Sequence, residues 1–395
     1  MDLPDDCDVA IVGAGPAGLA CALTLKGKGL TIKIFDKKAF PRSKPCGGGL
    51  GIRAIHTLQK LSPYNHNLLD NFEGKTPIDG FEVTTPKHKN YSFSLKNDYT
   101  LTQPLGYTVN RYDFDAYLLQ NLLDNTNIQF YPQTKVTKIL KHEDKVEFLA
   151  NGELMKASLV IDATGVDQIR EKSLRNNWAF AITSFVKYLH LEENQHNKLQ
   201  FYFTPLIYPG YFWIFPLSEG LANVRLFVPK KYFKSSLLQL RHYFFELIQS
   251  DSLLAAQFQS ASLASPLQGG WLPLGYPKGT YSKGRILKVG DAACLVDPLA
   301  GEGIGNALLS GHLAGLHILQ AFNENNFSDE FLSSYNHIIT DTFDHEFKFR
   351  HRIVKYLSKH PKAFERCFHY LNTSDDFRKF IFKFFISSHD ASRMG

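Results

Sequence analysis

The chain has 395 residues, five cysteines and a formal net charge of +6 at pH 7. That length allows two or three compact units with ample core. The mild charge does not mark a nucleic-acid binder, and no apolar run approaches the ~18 residues that span a bilayer. The scattered, odd-numbered cysteines show no zinc spacing and fit a reducing compartment, so no metal site is expected.

The first predicted element is a buried strand beginning near Cys7, which leaves no room ahead of it for a signal peptide. A cytoplasmic location is the resulting expectation. The stretch DVAIVGAGPAGLA, Asp8 to Ala20, then reads as strand, tight turn and helix. Gly13 permits the turn, Gly15 lets the backbone approach a pyrophosphate, and Gly18 lets the helix pack closely on the strand. The helix start, with Pro16 and Ala17, offers free N–H groups and a positive dipole end to phosphates. A second strand, TIKIFD, ends in Asp36, followed by Lys37. An acid at that distance accepts hydrogen bonds from a ribose hydroxyl.

The loop FPRSKPCGGGL, Phe40 to Leu50, follows directly. Its glycines, Gly47, Gly48 and Gly49, make it adaptable enough to lie against a flat ring. Cys46 either lines the substrate side of such a ring or fills a turn as a small apolar residue. Arg42 and Lys44 either neutralise an anion or are solvated surface charge. Residues 71–105 alternate apolar and polar like antiparallel strands. GYTVNRYDFDAYLLQNLL begins a helix near Asp113, just after Arg111. The stretch from Ile128 to Gly165, containing Val136 and ending IDATG, reads as strands and a hairpin returning to the sheet. Residues 178–270 are rich in aromatic and β-branched residues and form a second sheet.

GRILKVGDAACLVDPLAGEGIGNAL, Gly284 to Leu308, is another strand and loop entering a small-residue helix. Asp291 is placed to bind a sugar-chain hydroxyl. Asp297 and Pro298 precede Gly301, Gly303 and Gly305, and the amides of Gly303 and Ile304 can meet a flat, partly anionic ring. An NAD enzyme has no need of this returning element. FAD has both a ribityl chain and a ring carbonyl to hold, so FAD is the cofactor expected. Glu302 could relay a proton, but its plainer reading is dipole compensation at a helix start. The last part, 330–395, is helical by pattern and rich in Phe and Lys/Arg. His345, His351 and His360 are expected at the surface. FRKFIFKFFISS, Phe377 to Ser388, is either a docked terminal helix or an interfacial one in peripheral contact with the inner face of a membrane.

GAGPAGL paired with GDAA…DP…GEGI resembles the flavoprotein superfamily built like para-hydroxybenzoate hydroxylase. FPRSKPCGGGL and YPGYFWIFPLSEGLANVRL, Tyr208 to Leu226, resemble the geranylgeranyl reductase family within it. The resemblance implies an α/β fold: a Rossmann-like FAD-binding domain of the glutathione reductase/para-hydroxybenzoate hydroxylase type, an inserted antiparallel β-sheet substrate domain and a helical C-terminus. The expected divisions are 1–70, 106–177 and 271–329 for FAD, 71–105 and 178–270 for substrate, and 330–395 for the helical region. It implies that Arg111 reaches the cofactor. The cofactor-lining set so expected is Gly13, Gly15, Pro16, Ala17, Gly18, Asp36, Lys37, Cys46, Gly47, Gly48, Arg111, Val136, Gly165, Asp291, Pro298, Gly301, Gly303 and Ile304. Cys46, Tyr211 and Trp213 are the expected catalytic group. Tyr208, Tyr211, Phe212, Trp213 and Phe215 either wall an apolar cleft or fill a sheet core.

The implied activity is reduction of carbon–carbon double bonds in a prenyl chain, a prenylated lipid or a quinone, with electrons from NADPH or a small redox protein. The superfamily often has Asp where this chain has Thr164, which counts against hydroxylase-style use of NADPH. The rivals are an aromatic monooxygenase or halogenase, and a non-catalytic FAD-binding partner protein.

Overall fold

The computed structural model describes residues 6–62, 68–94, 104–123, 127–166, 169, 177–218, 220–232, 237–275 and 279–378. Most of the C-terminal Phe/Lys segment therefore lies outside the described residues.

The first sheet is built on Cys7–Val12, whose side chains are nearly all buried, as a strand covered on both faces requires. It runs parallel to Glu153–Asp162 on one side and to Ile32–Phe35 on the other. Ile128–Tyr131 and Ile286–Lys288 extend it in parallel. The hairpin Val136–Lys141 and Val146–Ala150 is added antiparallel along Glu153–Asp162. Helix Pro16–Leu25 packs against helix Ile304–Asn323, so the two glycine-rich segments, far apart in sequence, become neighbours in the core. Gly13 sits at φ +110°, and a Cβ there would fall 2.3 Å from the Ala163 carbonyl oxygen. The turn is therefore closed to other residues at this position.

The second sheet is mainly antiparallel, in the order Ser262–Leu263, Trp178–Lys187, Leu221–Pro229, Tyr211–Pro216, Lys198–Tyr202, Gly80–Thr84 and Asn90–Ser94. Gln268–Pro273 also pairs with Trp178–Lys187. Period-two alternation splits the aromatic strand between two cores. Phe212 and Ile214 pack with Phe244 and Leu254 of the covering helices. Tyr211, Trp213 and Phe215 face the other way, with Phe227, Leu272 and Val296.

The segment 71–105 does not enter this sheet whole. Lys75–Ile78 joins Gly49–Leu50 and Gly106–Val109 in a separate three-stranded sheet, while Gly80–Thr84 and Asn90–Ser94 join the large one. The helix expected near Asp113 begins at Arg111, two residues earlier, because Asn110 caps it by accepting from the Tyr112 amide. The C-terminal region contains helices Tyr335–Lys359 and Pro361–Thr373. His351 is not a surface residue: it is half-buried and bonded to the Gly275 carbonyl. No helix among the described residues is long and apolar enough to cross a membrane. No cluster of His, Cys, Asp and Glu among them could hold a metal ion.

Candidate active site

Between the two large sheets lies a cavity of about 380 Å³. At one end, Gly15 is the N-cap of helix Pro16–Leu25 and makes no side-chain capping bond, with Pro16 in the first turn. At the other, Gly303 is the N-cap of the 20-residue helix Ile304–Asn323, again without a side-chain cap. Both starts line the cavity. Two helix N-termini with unsatisfied amides and positive dipole ends thus converge on one space, a pairing suited to an anionic ligand with two electron-rich ends.

The polar wall between them is organised by carboxylates. Asp36 lines the cavity and accepts the Ala14 and Lys38 amides, each at 2.9 Å. Arg42 bonds the Ala14 carbonyl and lies 3.7 Å from Asp36 and 3.2 Å from buried Asp115. Arg111 grips Asp115 through two hydrogen bonds of 2.6 and 2.7 Å. Burial opposes the Arg111 charge, but Asp115 and the Cys46 sulfur hold its proton firmly. Asp291 faces Lys44 at 3.7 Å across the opening.

Cys46 lies where this wall meets the second sheet. Burial would raise its thiol, but the cations of Arg111 and Arg225, the Gly48 amide and a hydrogen bond from Arg111 hold it below the usual thiol range. Its carbonyl accepts a 2.9 Å bond from Asn223. Arg225 is 5% exposed and stacks over Trp213 at 5.1 Å, and its buried Nε has no hydrogen-bond partner among the described residues. A buried cationic donor left unsatisfied at a cavity wall is a group awaiting a ligand.

Of the expected cofactor residues, Gly13, Gly15, Pro16, Ala17, Asp36, Lys37, Cys46, Arg111, Val136, Gly165, Asp291, Gly301, Gly303 and Ile304 line the cavity. Gly18, Gly47, Gly48 and Pro298 lie behind the lining. A Cβ on Gly47 would strike the Trp213 ring at 2.6 Å, so the loop carrying Cys46 is seated directly on that indole. Tyr211 and Trp213 are therefore one layer beneath the cavity wall. Tyr211 donates to the Ala300 carbonyl at 2.7 Å and so supports the second glycine loop.

Three features went unrecognised in the sequence. Arg225 carries a visible signal: a lone cation inside the apolar strand LANVRLFVP. Trp271, with Gly269, Gly270 and Leu272, forms an apolar wall, and the only hint is an indole after two glycines. The third is a buried ionic cluster behind the second loop. Arg350 pairs with Asp297 and Glu346, and Arg53 with Glu346 and Asn306. Glu302 is not a helix residue but precedes the helix, and its Oε1 is buried without a hydrogen-bond partner among the described residues. Burial and nearby Asp297 push its carboxyl above the ordinary range, against the pull of Arg53 and Arg350.

A parallel-sheet domain and a β-sheet domain sharing one cavity, with a helix start at each end, form a site that suits a bound flavin dinucleotide. Residues 6–168 match the family described as FAD binding domain. The chain is 27% identical over 364 residues to a digeranylgeranylglycerophospholipid reductase of Methanococcus vannielii, covering 90% of this chain and 86% of the relative. It is 26% identical over 342 residues to a menaquinone reductase of Mycobacterium tuberculosis, covering 80% and 77%. A geranylgeranyl bacteriochlorophyll reductase-like structure from Thermoplasma acidophilum superimposes with TM-score 0.79 at 21% identity, covering 93% and 92%. A halogenase in complex with FAD superimposes at 0.69 and 17% identity, covering 95% and 85%. The chain is an FAD-dependent oxidoreductase, similar to the geranylgeranyl reductases.

Proposed function

We propose that the protein saturates carbon–carbon double bonds in the prenyl chain of a lipid or quinone. The observation that carries this reading is the Cys46 thiol, held between two buried arginines where the polar cavity wall meets the apolar wall of Trp271, Leu272 and Val296. The relatives named for a digeranylgeranylglycerophospholipid and for menaquinone support the substrate class, since both molecules carry an isoprenoid chain.

FAD, when bound, supplies the hydride that adds to one alkene carbon. The residues of the chain do the rest. Uncapped amides at Gly15 and Gly303, with Arg42 and Lys44, bind the anionic portions of the cofactor. Asp36 and Asp291 orient its hydroxyl-bearing chains. Trp271, Leu272 and Val296 hold the isoprenoid and exclude water. Cys46 gives the proton on Sγ to the second alkene carbon, and Arg111 and Arg225 stabilise the thiolate left behind. Tyr211 and Trp213 act as positioning residues, one fixing the Ala300 loop and the other the Cys46 loop. The electron donor is NADPH or a small redox protein.

The test is anaerobic reduction of the holoprotein, incubation with a geranylgeranyl lipid or menaquinone, and mass spectrometry. A gain of two hydrogens per reduced bond is expected; a product carrying added oxygen or halogen overturns the reading in favour of a monooxygenase or halogenase. Cys46→Ala should keep its FAD yet slow reoxidation by the alkene roughly 10²-fold or more, the scale of a lost general acid. Unchanged reoxidation removes Cys46 from the chemistry.

A further inference from the structure

Helix Tyr335–Lys359 has one buried face, formed by Tyr335, Ile339, Phe343, Phe347 and Arg350. Its opposite face is not an ordinary solvated surface. Lys348, Arg352, Lys355 and Lys359, at spacings of four, three and four, form one exposed basic stripe. Phe349 and Tyr356, 41% and 57% exposed, lie beside it. Helix Pro361–Thr373 continues the pattern with Lys362, Arg366 and Tyr370.

Few acids oppose these charges: among the described residues Asp341 before the stripe, and Asp375 and Asp376 after the second helix, are exposed at its two ends. Between His345 and Thr373 the only acids are Glu346 and Glu365. Glu346 is consumed by Arg53 and Arg350 in the interior. Glu365 is turned toward the loop before Asn90, accepting from the Thr85 hydroxyl and the Lys87 amide. That loop adds two more exposed lysines, Lys87 and Lys89. Lys348 alone of the stripe has a neighbouring carboxylate, Asp344, at 4.0 Å. Among the described residues, Arg352, Lys355, Lys359, Lys362 and Arg366 form no ion pair.

We infer that this two-helix face docks on a bilayer containing anionic phospholipid. Cations interleaved with exposed aromatic rings suit the headgroup boundary, where charge meets lipid phosphate and rings sit at the acyl edge. The face is also linked to the cavity. His351 of the long helix bonds the carbonyl of Gly275, which follows the wall strand Gln268–Pro273 by two residues. Lys230 sits 5.8 Å over the ring of Trp271, which lines the cavity. The helix that carries the stripe is thus fastened to the strand that walls the apolar end of the cavity. The docking itself requires no turnover, so it stands or falls separately from the proposed reaction.

The test is flotation of the full-length holoprotein with vesicles of phosphatidylcholine containing about 25% phosphatidylglycerol, against phosphatidylcholine alone, near 0.1 M salt. Binding only to the anionic vesicles, and its loss at ~0.5 M salt, is expected. Each cation near such a surface is worth about fivefold in partitioning, so combining Lys355→Glu with Lys359→Glu should weaken binding about 25-fold or more. Lys28→Glu, an exposed change elsewhere, should leave it unaltered. Flavin absorbance and melting temperature verify that each variant is folded; should the double variant fail, Arg352→Ser with Tyr356→Ser replaces it. Equal binding by wild type and variants, no binding to anionic vesicles, or binding of duplex DNA without binding of vesicles each overturns the inference.

Discussion

The two helix starts that open on the cavity do the same electrostatic work, yet they are held in place by different means. The Pro16 helix is entered through a short glycine turn, in which Gly13 takes a φ of +110° that side chains rarely adopt, and the Ala163 carbonyl then closes the space beside it. The Ile304 helix is preceded by a loop anchored from far away. Asp297 within it accepts the Leu299 and Ala300 amides and pairs with Arg350, which comes from the C-terminal helix. The conformation of the first start is written in a short motif; that of the second depends on an ion pair from the far end of the chain. Damage should therefore spread differently from each.

Gly13→Ala should have the largest effect. Its Cβ would meet backbone oxygen, which cannot rotate away, and the cost should exceed about 2 kcal/mol. The purified variant should be colourless or insoluble, and a yellow, stable Gly13→Ala protein would show that the turn tolerates rearrangement. Arg350→Ala should come next. It leaves Asp297 and Glu346 buried beside an empty space and should cost about 3–5 kcal/mol in urea unfolding. Flavin release should accompany it even though Arg350 does not line the cavity. If stability falls but FAD affinity does not, the cluster holds the C-terminal helix only and does not shape the loop.

Glu302→Gln should have the smallest effect and the most particular signature. In the unfolded chain this carboxyl ionises near pH 4.3. In the folded protein it keeps its proton to higher pH because of burial and Asp297. Its contribution is thus complete below the unfolded value and is lost as pH rises through the folded one. The glutamine variant cannot ionise, so it should match wild type near pH 4 and become relatively more stable toward pH 8. Parallel melting curves across that range would place an ionised, compensated carboxylate at this position instead.

The contrast between the two helix starts also explains what could be read from sequence. The Gly13–Gly18 turn, the strand ending at Asp36 and the aromatic strand 211–216 depend on neighbours within a few residues, so their pattern survives in the linear chain. The alternation of Tyr211, Trp213 and Phe215 against Phe212 was present as well, but which face would meet the cavity depended on the covering helices. The cluster was not legible, because Arg53 meets its partners 253 and 293 residues away. Helical period does put Arg350 on the apolar face of Ile339, Phe343 and Phe347, apart from its basic neighbours, but nothing local says which distant carboxylate answers it. The lone Arg225 of its strand could have been noticed, since a cation in a buried strand must be answered by something.

The tryptophans carry one further consequence. The chain has three, and Trp271 walls the cavity, Trp178 lies 5.9 Å from it ring to ring, and Trp213 supports the Cys46 loop. All of the indole emission therefore originates around the site, and none comes from a remote part of the fold. An isoalloxazine held there absorbs in the near-ultraviolet and blue, where indoles emit, so the polypeptide's own glow becomes a gauge of how many molecules carry their coenzyme.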